Sequence, residues 1–276
     1  MASTLKYSES ERLEHVLDGW PRWPSSGATR PHIIKRLSGG LSNASYLIEC
    51  NQTRLVLRFN RSHSDFLGVQ RDREKYFLNA LAPLAFTPSL IYHDREYDAF
   101  VLSYFEGRAC KPSELESAAL TTKLNNLINQ YQTFLGVVTS KAPENIAINY
   151  TSHLNRYWQN INDDAFKANH AEPWAEFIAA LNDYEKANPQ RTLCHHDLNP
   201  DNIVITPDGP CIIDWEYAAL GFKNFDKQFL IWQQAKVASN SATISGAIPK
   251  LADEHDAFLK CLFGWLELLW FKLSQQ

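Results

Sequence analysis

The chain has 276 residues, 45% of them hydrophobic and 21% charged, enough for one core or two modest ones. Its 27 Lys+Arg against 31 Asp+Glu leave a formal charge of -4 and a pI near 6.1, which argues against a nucleic-acid backbone as the main partner. With 11 Gly, 13 Pro and no biased tract, a low-complexity or disordered scaffold is excluded.

A polar amphipathic opening leads into three β-branched or alternating runs, His32 to Leu37, Ala44 to Cys50 and Thr53 to Phe59, with a hairpin turn at Asn51 and Gln52 between the last two. Gly68 to Ala82 switches to helical spacing and ends at Pro83. Ser89 to Asp94 and Asp98 to Tyr104 return to strand composition. From Pro112 the pattern is helical to about Val138 and again from Thr151 to Lys186, with Pro143 and Pro173 as local breaks. A β-like island at Ile205 to Asp214 turns on Pro-Asp-Gly-Pro. Helical signals then resume at Asp226 to Ala238 and from Pro249 to the end, across the polar loop Ser239 to Gly246. The change of period predicts a boundary near Glu106 and Gly107: a sheet-rich lobe over 1–105 and a mostly helical lobe over 106–276, with a ligand cleft between them.

Five cysteines, Cys50, Cys110, Cys194, Cys211 and Cys261, are scattered and odd in number, as in a cytoplasmic protein with reduced thiols. The first residues show no basic segment leading into an apolar run, and Lys260, Glu267 and Lys272 interrupt the longest apolar stretch, Phe258 to Leu273. Neither a secretory leader nor a membrane span is expected.

The segment Leu193 to Ala218 carries the chemistry. It gathers His195, Asp197, Asn202 and Asp214 into a stretch whose turns fold it back on itself, so that three polar ends meet. An Asn and an Asp oxygen suit a hard cation such as Mg²⁺. A further carboxylate beside them can orient a hydroxyl and take its proton.

At these residues the chain resembles the small-molecule branch of the protein-kinase-like superfamily, the aminoglycoside phosphotransferases and the choline, ethanolamine and thiamine kinases. The catalytic-loop pattern H-x-D-x-x-x-x-N is matched by His195 to Asn202, and Asp214-Trp215-Glu216 stands where protein kinases have Asp-Phe-Gly. The resemblance implies an α+β, bilobal kinase-like fold with a small antiparallel-sheet lobe and a larger helical lobe. It also implies γ-phosphoryl transfer from ATP, with Mg²⁺, to the hydroxyl of a small molecule. Asp197 becomes the residue that positions the acceptor, Asn202 and Asp214 become metal ligands, and His195 becomes architectural. Glu216 either reaches the metal or acceptor or is a structural acid.

The nucleotide falls to the N-terminal half. Gly39 and Gly40 let backbone N–H groups approach phosphates, with Ser42 or Asn43 adding side-chain hydrogen bonds, although two glycines serve an ordinary hairpin equally well. Arg58 shares a strand face with Val56 and takes the place of the phosphate-binding Lys of protein kinases. Its proposed partner is Glu74, in line with Phe77, Leu78 and Leu81 on one helix face, and Arg71-x-x-Glu74 resembles the family's helix pattern; Arg73 or Lys75 could pair locally instead. Tyr104 and Phe105 lie where kinases present main chain to adenine. Asp226 matches a position that supports the catalytic loop, or is a simple helix cap.

The string Asp214-Trp215-Glu216-Tyr217-Ala218 and the many C-terminal aromatics favour a cationic alcohol such as thiamine, choline or ethanolamine. The stripe Trp265, Leu268, Leu269 and Phe271 reads first as helix core. The alternatives are an aminoglycoside- or sugar-type phosphotransferase, or a catalytically silent binder of the same fold. A zinc site at Cys194, His195, His196 and Cys211 fits no common spacing, and no G-x-S-x-G nucleophile turn is present. No Ala-Pro-Glu anchor follows Asp214, so a peptide platform is not expected.

Overall fold

The computed structural model describes residues 7–24, 29–37, 43–60, 67–134, 142–238 and 255–275. The chain forms two compact units, Met1–Asp65 with Leu78–Glu106, and Phe66–Phe77 with Gly107–Gln276. Helix α2, Arg71–Leu81, is divided between them at Phe77.

The first unit opens with α1, Glu9–Asp18, whose Ser8 and Glu11 cap each other's backbone N–H groups. A five-stranded antiparallel sheet follows: β1 (His32–Arg36), β2 (Asn43–Cys50), β3 (Thr53–Asn60), β4 (Leu90–Asp94) and β5 (Ala99–Ser103), in the order β1-β2-β3-β5-β4. Asn51 and Gln52 join β2 to β3 with φ of 49° and 64°, the two left-handed residues of a tight hairpin whose twist matches the strands. Alternation sends Leu55, Leu57 and Phe59 into a core with Tyr46, Ile48 and Val101, sealed by Val16 and Leu17 of α1. β1, an edge strand with all five residues exposed, carries His32, Lys35 and Arg36, charge or polarity that blunts strand-to-strand association.

The second unit is mostly helical. Its elements after α2 are β6 (Arg108–Ala109), α3 (Ala118–Phe134), α4 (Tyr150–Asn160), α5 (Asp164–Ala187), β7 (Arg191–Cys194), β8 (Ile203–Thr206), β9 (Gly209–Ile212), β10 (Ala219–Phe222), α6 (Phe225–Ala238) and α7 (His255–Ser274). Two small antiparallel sheets, β10-β7 and β6-β8-β9, flank the loop that contains Asp197 and Asn202.

Pro173 does not break its helix; α5 runs through it, and the real break is at Ile161–Asp163, where the Asp163 carboxylate caps the Phe166 N–H. Proline forfeits one helical hydrogen bond. Packing offsets the loss, because the next residue, Trp174, stacks on Trp158 at 4.8 Å and meets Trp265 edge-on at 5.2 Å. On α7, Trp265 and Leu269 are fully buried as expected of a core stripe, whereas Phe271 is 52% exposed and lies outside it. Among the described residues no helix is long and apolar enough to cross a membrane.

Candidate active site

The antiparallel pair β7 and β10 brackets the motif, with Cys194 opposite Ala219. Beyond Cys194 the chain enters a loop that closes through a short 3-10 turn, Pro200–Asn202, and runs directly into the hairpin β8–β9. Asn199 organises the turn: its side-chain oxygen accepts from the Asp201 and Asn202 N–H groups, and its amide donates to Asp197 Oδ1 at 2.8 Å. Asn202 returns to the same residue, donating to Asp197 Oδ2 at 2.8 Å and to its carbonyl at 2.9 Å. Both oxygens of the Asp197 carboxylate are thus fixed by side-chain amides. Burial pushes Asp197 up to about 7, aided by the Glu216 charge and opposed by the two amides.

Because the Asn202 amide nitrogen is committed to Asp197, its Oδ1 is the oxygen left to face a cation. Its carbonyl accepts the Ile213 N–H at 2.9 Å, which holds Asp214 beside it in the chain. Asp214 sits at φ 62°, a left-handed conformation that costs a non-glycine residue about 1 kcal/mol and persists where the surroundings dictate it. An amide oxygen and a carboxylate are hard donors of the type Mg²⁺ takes alongside phosphates and water. Among the described residues no group of three or more His, Cys, Asp or Glu is arranged to hold a metal ion, the zinc candidates included.

The loop is held from behind by Asp226, buried in α6. It accepts the N–H of His195 at 2.8 Å, the N–H of His196 at 3.1 Å and the Tyr131 hydroxyl at 2.5 Å. Burial pushes it up to about 6 while these three donors pull it back. Asp226 is therefore a loop support and more than a helix cap. His196, at φ 66°, shares a 2.7 Å hydrogen bond with the Tyr150 hydroxyl, and a Cβ at Gly221 would fall 2.4 Å from both His196 Nε2 and the Tyr150 oxygen. Only glycine fits there.

His195 is fully buried, with Nε2 2.9 Å from the Ile213 carbonyl and Nδ1 accepting the Asp197 N–H at 3.3 Å. That pattern uses one donor and one acceptor, which is the neutral imidazole. Burial correspondingly pulls His195 down to about 4. Its folded value lies below its unfolded value of about 6.5, so its contribution is complete above pH 6.5 and is lost as pH falls toward 4. The stability difference between wild type and His195→Gln, measured by urea unfolding, should narrow by about 1.4 kcal/mol per pH unit across that window. A constant difference would show that His195 is not held neutral.

Glu74 and Glu216 are both buried, and one guanidinium joins them: Arg71 Nη1 lies 2.9 Å from Glu74 and 2.9 Å from Glu216. All three belong to the second unit. Glu216 is thereby held in a buried ion pair, and Arg71 is the cation that joins the two acids, whereas from sequence the Arg71-x-x-Glu74 spacing is visible but Glu74 is assigned to Arg58. That spacing is an i,i+3 Arg–Glu pair. Tyr131, Tyr150 and Asn199 were missed; the two tyrosines carry no local signal, because their partners are distant in sequence.

In the first unit, Arg58 is buried on β3, opposite Ser45 and Phe100, with its guanidinium 5.1 Å from the Phe100 ring centre. Asn43 is buried at the start of β2. Tyr104 and Phe105 follow β5 in irregular, half-exposed backbone, and Glu106 pairs with Arg54 at 2.7 Å. Gly39, Gly40 and Ser42 lie outside the described residues.

Among solved structures the chain is similar to the choline kinase LicA from Streptococcus pneumoniae (22% identity, 88% of this chain and 86% of that one, TM-score 0.62) and to LicA in complex with AMP (19%, 98% and 91%, 0.66). It is also similar to an ethanolamine kinase of Plasmodium vivax (15%, 99% and 82%, 0.61) and to the aminoglycoside phosphotransferase APH(4)-Ia with ADP and hygromycin B (13%, 92% and 88%, 0.57). At these identities the likeness is one of fold, protein-kinase-like. No curated protein matches the chain by sequence. The model of the phosphotransferase enzyme family matches residues 33–231, and with that match on top of the clamped Asp197 loop, the chain belongs to this family, on its small-molecule kinase branch.

Proposed function

We propose that this phosphotransferase moves the γ-phosphoryl group of ATP to the hydroxyl of a small cationic alcohol, of the thiamine or choline and ethanolamine type. The observation that carries the reading is the Asp197 carboxylate, fixed at both oxygens by Asn199 and Asn202 and raised toward neutrality by burial. A carboxylate so placed aligns an alcohol for in-line attack and accepts its proton as the O–P bond forms. Asn202 Oδ1 and the Asp214 carboxylate would hold Mg²⁺, which when bound neutralises charge on the phosphates. Arg58 would steady the phosphates, and Asn43, Gly39, Gly40 and Ser42 would contribute donors around them; Tyr104 and Phe105 would offer main chain to adenine. Glu74 would orient Arg58 as well as Arg71.

A cationic acceptor is supported by the surroundings of Asp197. Burial raises the Tyr217 phenol, aided by the charges of Glu216 and Asp197, and Trp270 donates to the Tyr217 hydroxyl at 3.2 Å. Aromatic faces beside carboxylates attract ammonium and thiazolium groups. With Mg²⁺-ATP and a panel of choline, ethanolamine, thiamine, hygromycin B and a neutral sugar, kcat/KM should be at least about 100-fold higher for one of the three small cations, the scale of a few kcal/mol of specific contact. The highest kcat/KM on the sugar or the aminoglycoside would overturn the acceptor assignment while leaving the phosphotransfer intact.

A further inference from the structure

Two residues along α2 from the doubly paired Arg71 lies a second arginine in the opposite circumstances. Arg73 is 5% exposed, its Nη1 donates to the Asn145 carbonyl at 3.3 Å, and its buried Nε–H has no partner. Facing it from α4 are His153, itself buried, and Arg156, whose Nη2 is 3.2 Å from His153 Nδ1 and whose Nε–H is also buried without a partner. Gly68, at φ 85°, closes over the group: a Cβ there would fall 2.3 Å from the His153 ring and 2.8 Å from Arg156 Nη2.

The arginine and histidine charges in this cluster repel one another, and only Tyr150 opposes them at Arg73. Arg156 acts on Arg73, both arginines act on His153, and Arg73 and His153 act on His196 in the catalytic loop. Among the described residues no carboxylate forms an ion pair with Arg73 or Arg156. Burial and this repulsion pull Arg73 down to about 10 and His153 down to about 3. A buried cation without a counter-charge is strongly unfavourable, and among the described residues Arg73 has Arg156 near it and no carboxylate paired with it. The missing element is an anion. Two guanidinium groups with unused N–H donors, and an imidazole able to add a third, match the several acceptor oxygens of a tetrahedral oxyanion.

We infer that Arg73, His153 and Arg156 form a binding site for a small phosphate-type oxyanion, either free phosphate or the phosphate of a monoester. The inference is independent of the acceptor and of the phosphotransfer reading, since none of the three residues is placed in the reaction.

The test is thermal melting and calorimetry of the full chain at constant ionic strength, titrating inorganic phosphate in one arm and glycerol 3-phosphate in the other. Either ligand at ten times its dissociation constant should raise the Tm on the order of 3 °C, and the arm that responds identifies the source of the phosphate. Arg156→Gln should abolish the response, leave ATP affinity unchanged, and melt at or above wild type in phosphate-free buffer, because one of two repelling charges is gone. Arg156→Lys, which keeps the charge without the fork, should weaken binding at least about fivefold. A wild-type chain indifferent to both ligands at millimolar concentration, or an Arg156→Gln variant that responds as wild type does, would overturn the assignment.

Discussion

An Asp197→Asn variant should still bind ATP but transfer its phosphoryl group about 10² to 10⁴ times more slowly, the range that a positioned proton acceptor contributes. The loss should fall on kcat. Asn keeps the size of the side chain and one acceptor oxygen, and Asn202 keeps its bond to the main-chain carbonyl at 197, so the loop holds its shape although one of the two clamp amides loses its acceptor. Asn cannot take the proton of the attacking alcohol. The Tm should stay within about 3 °C of wild type, since substituting a neutral amide for a half-buried carboxylate also relieves the burial that raises Asp197. A kcat within tenfold of wild type in a folded variant would remove Asp197 from the reaction.

The largest effect on stability should come from Arg71→Met. This change withdraws the guanidinium that Glu74 and Glu216 share, and both carboxylates are almost inaccessible to water. Removing one member of a buried ion pair costs about 3–5 kcal/mol, because each remaining carboxylate loses a cationic contact while staying shielded from water. For a chain of this size the Tm should fall on the order of 10 °C. Adding Glu216→Gln to Arg71→Met should recover part of that loss, since one of the two acids no longer demands a cation; the double-mutant cycle measures the coupling. A loss below about 1 kcal/mol in urea unfolding would mean that the Arg71 bridge contributes little.

How much of this was readable beforehand depended on the range of each interaction. The hairpin at Asn51 and Gln52, the helix at Arg71–Leu81 and the strands at Leu90 and Ala99 are local, and periodicity with turn chemistry finds them. Strands β7 and β10 are only four residues each and exist because they pair with one another across the motif, so no periodicity announces them. Pro173 misled for a related reason: helix propensity is a local prior, and a tryptophan stack contributed by two other helices overrides it.

The same division runs through the site. The contact of Asp197 with Asn202 and the support that Asp226 gives the loop were legible because the motif shared with the family places these residues at fixed spacings. The rest of the support was not legible. Tyr131 is 95 residues from Asp226 and Arg71 is 145 residues from Glu216, distances over which a single sequence offers no pairing signal. Arg73 is the sharpest case. In sequence it is one more charge on a charged helix; in the fold one arginine has two acids, and among the described residues the other has none.

The most direct measurement of the central claim is a ³¹P NMR time course of Mg²⁺-ATP with choline, ethanolamine or thiamine and the purified chain, wild type beside Asp197→Asn. The account predicts that wild type converts the γ-phosphate signal into a phosphomonoester of one of these alcohols with stoichiometric ADP, and that the variant does not do so on the same timescale. ATP bound by the wild type with no phosphomonoester formed from any alcohol would contradict it, and would make this fold a nucleotide-binding module.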